Sequence, residues 1–188
     1  MDNPTLILTT LDRHLDHPVR LVVYGRAALH LGFRGAPSEV AHSKDVDAIV
    51  PLSDLDTLMA DEGFWQAQEA TNTELRDRGL YITHLFQEDQ VFLRRDWAKH
   101  LIPLARPALR WLALFRPATL DLILTKMMRG NDPQDMGDVG FLIRHDAITP
   151  EQIEAAFSSA VIPDIEELYD AFERAKPLVR ALSRSGRA

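Results

Sequence analysis

The chain of 188 residues contains no cysteine, which excludes disulfide bonds and metal sites with thiolate ligands. Nothing in it requires an oxidising compartment, and we expect a cytoplasmic protein. Long apolar runs are also missing: the longest, residues 112–115 and 120–124, are far shorter than the roughly 20 residues that cross a bilayer. The start of the chain lacks the basic and then apolar pattern of a signal peptide. We therefore expect no membrane association.

Positive charge is in short supply, and the formal net charge is −7. This balance argues against broad, sequence-independent binding to nucleic acid. Lysine is especially scarce, with 4 residues against 17 arginines. Because a planar guanidinium can bind phosphate or carboxylate through two parallel hydrogen bonds, a local phosphate site is compatible with an acidic surface.

The order of predicted elements indicates an α+β fold: a small mixed sheet with α/β connections, followed by helices. Strands are predicted at residues 20–24, 45–50, 80–86 and 110–115, with 91–93 as an extension of the sheet. Helices are predicted at residues 3–15, 27–31, 64–76, 119–128, 134–145 and 163–176, with further helices starting at Ser53 and after Thr149.

Two of these helices have clear start signals. Asp132 and Pro133 supply an N-cap and a proline at the first helical position. Thr149 and Gln152 form a capping box. We expect the tail after residue 176 to fray. The predicted organisation is an α/β core over residues 1–116 and a C-terminal helical lobe over 117–188, packed on the core as one structural unit.

Two neighbouring segments contain the first candidate functional residues. Residues 22–25 (Val-Val-Tyr-Gly) predict a strand that ends in glycine before a helix begins. A glycine there lets the backbone approach a phosphate, and the following amides point at the anion. Residues 45–50 predict the next strand, where Asp45 and Asp47 share one face. Such a pair is a typical ligand set for Mg²⁺, which keeps positions free for substrate phosphates.

Each feature alone has a plain structural explanation. Two aspartates can mark a solvated strand end, and a glycine can simply end a strand. Their combination, 20 residues apart with a helix and a loop between them, favours a functional site.

These residues resemble a known family. Gly25-Arg26, a helix, a loop and then Ser43-Lys44-Asp45-Val46-Asp47 are similar to the opening of polymerase-beta-type nucleotidyltransferases. Lys126, Arg129, Asp135 and Asp138, spaced K-x-x-R…D-x-x-D in this chain, are similar to the K-x-x-x-R…D-x-x-D pattern of abortive-infection (AbiEii-type) nucleotidyltransferases and related bacterial proteins. The resemblance spans residues 21–143.

The resemblance implies a nucleotidyltransferase fold and a reaction that moves a nucleoside monophosphate from an NTP to an acceptor hydroxyl. It makes Asp45 and Asp47 the ligands of catalytic Mg²⁺ or Mn²⁺, and gives Lys126 a contact with the triphosphate. The residues it implies as nucleotide contacts are Gly25, Arg26, Ser43, Lys44, Lys126, Arg129, Asp135 and Asp138. The acceptor (RNA, protein or a small molecule) is left open, and a toxin–antitoxin or phage-defence setting with a cognate partner protein is expected.

Several of these residues can also be explained by a structural role instead of nucleotide binding. Lys126 and Arg129 can be solvated cations near a helix C-terminus, and Asp135 a first-turn acid stabilised by the helix dipole. For Asp138 the two interpretations are balanced. Arg26 stands where the family has glycine or serine, and it either binds a phosphate or fills the nucleotide's space.

A third metal-binding carboxylate is not evident. The family has it on the strand beside D-x-D, but residues 80–86 contain no acid. His84 within that strand, and Glu88 and Asp89 just beyond it, are the nearest candidates, and the ligand stays unassigned. The alternative function is therefore a catalytically inactive protein of the same fold that binds a nucleotide or a protein partner.

Overall fold

The computed structural model describes residues 1–105 and 107–185, apart from the side chains of Thr83 and His84. It confirms the α+β class. Over the described ranges no helix has both the length and the apolar character needed to cross a membrane.

The elements alternate between strand and helix in the first half of the chain and are mostly helical in the second. In order they are α1 Asn3–His14, β1 Val19–Tyr24, α2 Gly25–Gly32, β2 Asp45–Val50, α3 Leu52–Met59, α4 Glu62–Leu75, β3 Tyr81–Gln87, β4 Leu93–Arg94, β5 Ile102–Pro103, β6 Leu112–Arg116, α5 Thr119–Lys126, α6 Pro133–His145, α7 Pro150–Ser159, β7 Ala160–Val161 and α8 Glu166–Ser185.

The chain forms two compact units, each made of two segments. The first unit contains residues 1–87 and 101–116, and the second contains residues 88–100 and 117–188. Residues 88–100 lie within the sequence range predicted for the α/β core, but they belong to the second unit.

The first unit is built on a five-stranded mixed sheet with the order β3-β2-β1-β6-β5. β1 is antiparallel to β2 and parallel to β6, while β2 is parallel to β3. Helices α1, α2 and α4 pack against these strands. The start of β6 is fixed by Asp12 of α1, whose carboxylate accepts hydrogen bonds from three successive backbone amides, Arg110 to Leu112, at 2.7–2.9 Å.

The second unit consists of α5 to α8 and a small antiparallel sheet in which β4 pairs with β7. Leu93 lies opposite Val161 in this pair. The prediction that residues 91–93 extend the main sheet is therefore wrong. The partner strand is more than 60 residues further along the chain, and no local pattern identifies it.

The expected fraying after residue 176 is also wrong. α8 continues to Ser185 with Pro177 inside it. The continuation is stabilised by packing, because Val179 and Ser183 of this last part are buried. Burial of one helical face thus outweighs the hydrogen bond that a proline removes.

The predictions that rest on local chemistry are confirmed. The strand from Asp45 to Val50 has the predicted bounds. Asp132 caps α6 by accepting from the Asp135 amide at 2.9 Å. Thr149 and Gln152 exchange both hydrogen bonds of a capping box.

Candidate functional site

The acidic pair lies on β2, near the start of the strand. Because side chains alternate along a strand, Asp45 and Asp47 share one face while Val46 and Ala48 point to the other. Val46 and Ala48 are buried, and both aspartates are half-buried. This strand therefore holds two carboxylates side by side at a partly open surface of the first unit.

Tyr24 is the cross-strand neighbour of this pair, and the sequence analysis did not identify it as a site residue. In the antiparallel register of β1 and β2, Tyr24 lies directly opposite Asp47. Directly opposed side chains point to the same face of a sheet. Burial, followed by the negative charges of Asp47 and Asp45, raises the pKa of the Tyr24 phenol. Tyr24 thus stays a neutral hydroxyl beside the acidic pair.

Gly25 brings the backbone close to the acidic pair. It is the first residue of α2 and has a φ of +65°, a conformation that favours glycine. A β-carbon added at Gly25 would lie 3.4 Å from Asp47 Oδ2. The turn from β1 into α2 therefore lies directly against the Asp47 carboxylate.

The other predicted nucleotide contacts of the first unit lie around the same turn and strand. The Ser43 hydroxyl donates a hydrogen bond to Asp45 Oδ1 at 2.9 Å. Lys44 is exposed just before β2, and Arg26 follows Gly25 in α2 with a half-buried side chain. The serine thus orients one of the two carboxylates.

The strand beside the acidic pair is irregular at this point. Val46 pairs with Ile82, but Ala48 pairs with Leu85, so two residues of β3 stand opposite Asp47 alone. This is the arrangement of a β-bulge, which often lies next to a functional site. Beyond the bulge, the Phe86 ring meets the Tyr24 ring edge to face, with centroids 5.8 Å apart.

A third metal ligand is not identified. Over the described parts of the chain, no group of three or more His, Asp or Glu side chains is arranged to hold a metal ion. The His84 side chain lies outside the described residues. Glu88 is half-buried and Asp89 exposed in a short 3-10 helix after β3, and both belong to the second unit.

The second predicted motif forms a buried ionic cluster in the second unit. Lys126 Nζ donates to Asp135 Oδ1 at 3.0 Å and to Asp138 Oδ2 at 2.7 Å. All three side chains are at most 8% exposed. Lys126 is therefore not a solvated cation, and Asp135 and Asp138, one turn apart on α6, hold its ammonium group at the end of α5.

Arg129 completes this cluster from the more exposed side. Its Nε donates to Asp135 Oδ2 at 2.6 Å. Burial by itself would raise the pKa of Asp135, but the Arg129 hydrogen bond and the Lys126 charge outweigh it and lower the pKa. The hydrogen bond to Asp135 also raises the pKa of Arg129. Asp135 therefore remains a carboxylate that binds two cations at once.

A further ion pair in this unit was not foreseen from the sequence. Asp121 of α5 is fully buried and binds the Arg94 guanidinium through both of its oxygens, at 3.0 and 2.7 Å. Neither residue belongs to a motif, and they are 27 positions apart. An aspartate within the apolar run of residues 120–124 is the only local signal.

The predicted site residues therefore form two groups. Gly25, Ser43, Asp45 and Asp47 are brought together in the first unit, and Lys126, Arg129, Asp135 and Asp138 in the second. Comparison of the chain with protein-family models, curated proteins and solved structures found no significant match.

Proposed function

We propose that this protein is a metal-dependent nucleotidyltransferase, which moves a nucleoside monophosphate from an NTP to the hydroxyl of an RNA, protein or small-molecule acceptor. The proposed setting is the cytoplasm, where NTPs are available. A role in a toxin–antitoxin or phage-defence pair, with a cognate protein partner, is part of the same proposal.

One observation carries the proposal. The glycine turn that starts α2 lies against the Asp47 carboxylate, which shares a strand face with Asp45. A substrate phosphate bound at the turn and a divalent cation bound at the carboxylates would thus be adjacent. This adjacency is what transfer of a phosphoryl-linked group requires.

The residues present suit Mg²⁺ or Mn²⁺ in the type of their donor atoms. Both ions prefer oxygen ligands, and Asp45 and Asp47 offer carboxylates on one face, with Ser43 orienting the first. A bound cation would offset the charge that develops on the triphosphate. Tyr24, as a neutral hydroxyl, adds a hydrogen-bond donor without adding a third negative charge.

In the proposed reaction the acceptor oxygen attacks the α-phosphorus of the NTP. A bond forms between these two atoms, and the bond from the α-phosphorus to the bridging oxygen breaks. Pyrophosphate leaves with that electron pair, and the acceptor's proton passes to solvent. Asp45 and Asp47 would hold the cation, and the amides after Gly25 would bind phosphate oxygens.

The test is transfer of a labelled nucleotide. The protein is incubated with each of four α-labelled NTPs, Mg²⁺ or Mn²⁺, and RNA, protein and small-molecule acceptors. We expect labelled product from the wild type, and a loss of about a hundredfold or more in the Asp45→Asn/Asp47→Asn variant. Asp56→Asn, an exposed acid on α3, is the matched control and should keep full activity. Equal labelling by wild type and the double variant would contradict the proposal.

A second candidate is an inactive protein of the same fold that binds a nucleotide or a partner protein. It is favoured by the absence of a third ligand group within the described residues. Calorimetric titration with NTP separates the two. Tight binding that depends on Mg²⁺ without transfer to any acceptor would support the inactive form, whereas transfer would exclude it.

A further inference from the structure

A cavity of about 330 Å³ lies in the first unit, at the end of the strands opposite the acidic pair. Its origin is the divergence of two strands. The pairing of β1 with β2 extends only as far as Val22 and Ile49, after which the chain turns away at Pro51 to start α3. The space that opens between the end of β2, the start of β1 and α3 is the cavity.

Helix α3 covers this cavity without filling it. None of its residues is buried, although four are large and apolar: Leu52, Leu55, Leu58 and Met59. Leu52 is 48% and Met59 61% exposed. An eight-residue helix depends on packing of an apolar face for its stability. Leu58 is the member of these four that lines the cavity, so a ligand there would add an apolar contact to α3 at this residue.

The cavity has apolar walls and three charged side chains, one of which is Asp61. Val22, Ile49 and Leu58 contribute to the walls, and Arg20 and Asp54 contribute the other two charges. Arg20 Nη1 and Asp54 Oδ2 are 3.4 Å apart, and the side chains are 45% and 37% exposed. This distance is well beyond the roughly 2.7–2.9 Å of a strong charge-assisted hydrogen bond. Asp54 Oδ1 also accepts a hydrogen bond from Ser53 Oγ at 2.9 Å, and the Arg20 guanidinium lies 5.0 Å from the centroid of the Phe115 ring. A carboxylate and a guanidinium each have more hydrogen-bonding positions than these contacts use, so both groups can still bind a charged ligand.

The third charged residue of the lining is already satisfied. Asp61 caps α4 by accepting from the Phe64 amide at 2.9 Å, and its other oxygen contacts His17 Nε2 at 2.8 Å. It contributes to the wall of the cavity, and the remaining hydrogen-bonding positions are those of Arg20 and Asp54 that their own contacts do not use. One cationic and one anionic group beside an aliphatic surface match a ligand with the complementary pattern.

We propose that this cavity binds a small zwitterion with an apolar side chain, such as a free α-amino acid. The ligand carboxylate binds the Arg20 guanidinium, its ammonium group binds Asp54, and its side chain contacts Val22, Ile49 and Leu58. The volume is at the lower end of the range for small-molecule sites, as suits a ligand of this size. The site is separate from the acidic pair and does not depend on the proposed transfer activity.

The test uses five amino acids as probes: leucine, isoleucine, valine, methionine and phenylalanine. Thermal unfolding and calorimetry are measured as each is added to the full chain. We expect at least one to raise the melting temperature in a saturable way, because a ligand that binds only the folded state stabilises it. For leucine as the probe, 4-methylpentanoate and 3-methylbutylamine each lack one charge and should bind at least tenfold more weakly. If another amino acid is the one that binds, its own analogues lacking either the ammonium or the carboxylate group are used in the same way.

Variants assign the binding to this cavity. Arg20→Gln should weaken binding at least tenfold, and Leu58→Trp should abolish it by filling the space. Arg13→Gln changes an exposed arginine of α1 that pairs with Glu74, away from the cavity lining, and should bind like the wild type. Absence of saturable stabilisation by all five amino acids would overturn the proposal. Equal affinity of Arg20→Gln and wild type, or of leucine and both of its analogues, would overturn it as well.

Discussion

Asp121 accepts three hydrogen bonds from Arg94: one from its backbone amide at 3.0 Å and two from its guanidinium at 3.0 and 2.7 Å. The aspartate is fully buried and the arginine side chain is 16% exposed. The hydrogen bonds to Asp121 raise the pKa of Arg94. This contact joins β4, from the short first segment of the second unit, to α5 of the long second segment.

Asp121→Ala is expected to lower the free energy of unfolding by about 3–5 kcal/mol, because the arginine and a backbone amide lose their partner in a buried place. Urea unfolding followed by circular dichroism measures the change. Glu154→Ala breaks the exposed ion pair with Arg180 in the same unit and should have a much smaller effect. Similar losses in the two variants would show that the buried pair has no special role.

Lys126→Met should destabilise the second unit at pH 7 by about 3–5 kcal/mol, because Asp135 and Asp138 are then buried without their shared cation. The lowered pKa of Asp135 in the folded protein means that its ion pairs stabilise the fold above the unfolded-state pKa of about 3.9. That contribution is lost as the pH falls through the folded-state pKa. The difference between wild type and variant should therefore shrink below about pH 4.

Urea unfolding at a series of pH values measures this difference. Lys176→Met is the control, since Lys176 pairs with an exposed glutamate at the surface of α8. A constant difference between wild type and Lys126→Met at every pH would contradict the assignment of the effect to the two carboxylates.

Gly25→Ala tests the glycine turn beside the acidic pair. The φ of +65° makes alanine unfavourable by about 1–2 kcal/mol, and the new methyl group would stand 3.4 Å from Asp47 Oδ2. Gly79→Ala is a matched control, because Gly79 has a φ of +63° and open space around it. We expect both variants to lose similar stability, measured by urea unfolding, while only Gly25→Ala loses Mg²⁺-dependent NTP binding in calorimetry. Equal nucleotide binding by the two variants would remove Gly25 from the site.

We expect the stability of the first unit to depend on pH through His17. Hydrogen bonds with Asp16 and Asp61 raise its pKa in the folded state. The stabilisation is therefore complete below the unfolded-state pKa of about 6.5 and is lost as the pH rises through the folded-state pKa. The melting temperature of the wild type should fall across that window. His17→Gln should remove this fall, whereas the exposed arginine variant Arg13→Gln should retain it.

Local signals predicted much of this fold. The strand from Asp45 to Val50 was predicted with the observed bounds because polar and apolar residues alternate at its start and a proline follows its end. The cap at Asp132 and the capping box at Thr149 depend on residues three positions apart, and both are present. These features need no information from distant parts of the chain.

Non-local pairing accounts for what was missed. The two-residue strand β5 pairs with β6 at Ile102 and Arg116. The equally short β4 pairs with β7, which lies more than 60 residues later in the sequence. Strands this short have no periodicity to detect. The helix through Pro177 depends on burial of Val179 and Ser183 by other helices.

In the candidate site, too, the features set by local sequence were predicted and those set by strand pairing were missed. The spacing of Gly25, Asp45 and Asp47 predicted a shared site, because strand alternation and the strand–turn–helix pattern are local rules. Tyr24 was missed because its position beside Asp47 depends on the register of β1 with β2. The bulge in β3 was missed because it is a property of the pairing with β2 and has no residue signature of its own.

The division of the chain also sets an order for folding during synthesis. Residues 88–100 leave the ribosome before residues 101–116, yet they belong to the unit that the last part of the chain completes. Arg94 can therefore bind Asp121, and β4 can pair with β7, only after residues 101–116 have been synthesised. A chain that stops at residue 116 would contain every strand of the five-stranded sheet but only the first segment of the second unit. Val91, Phe92 and Leu93, which are buried in the full chain, would then be exposed to solvent and would favour aggregation.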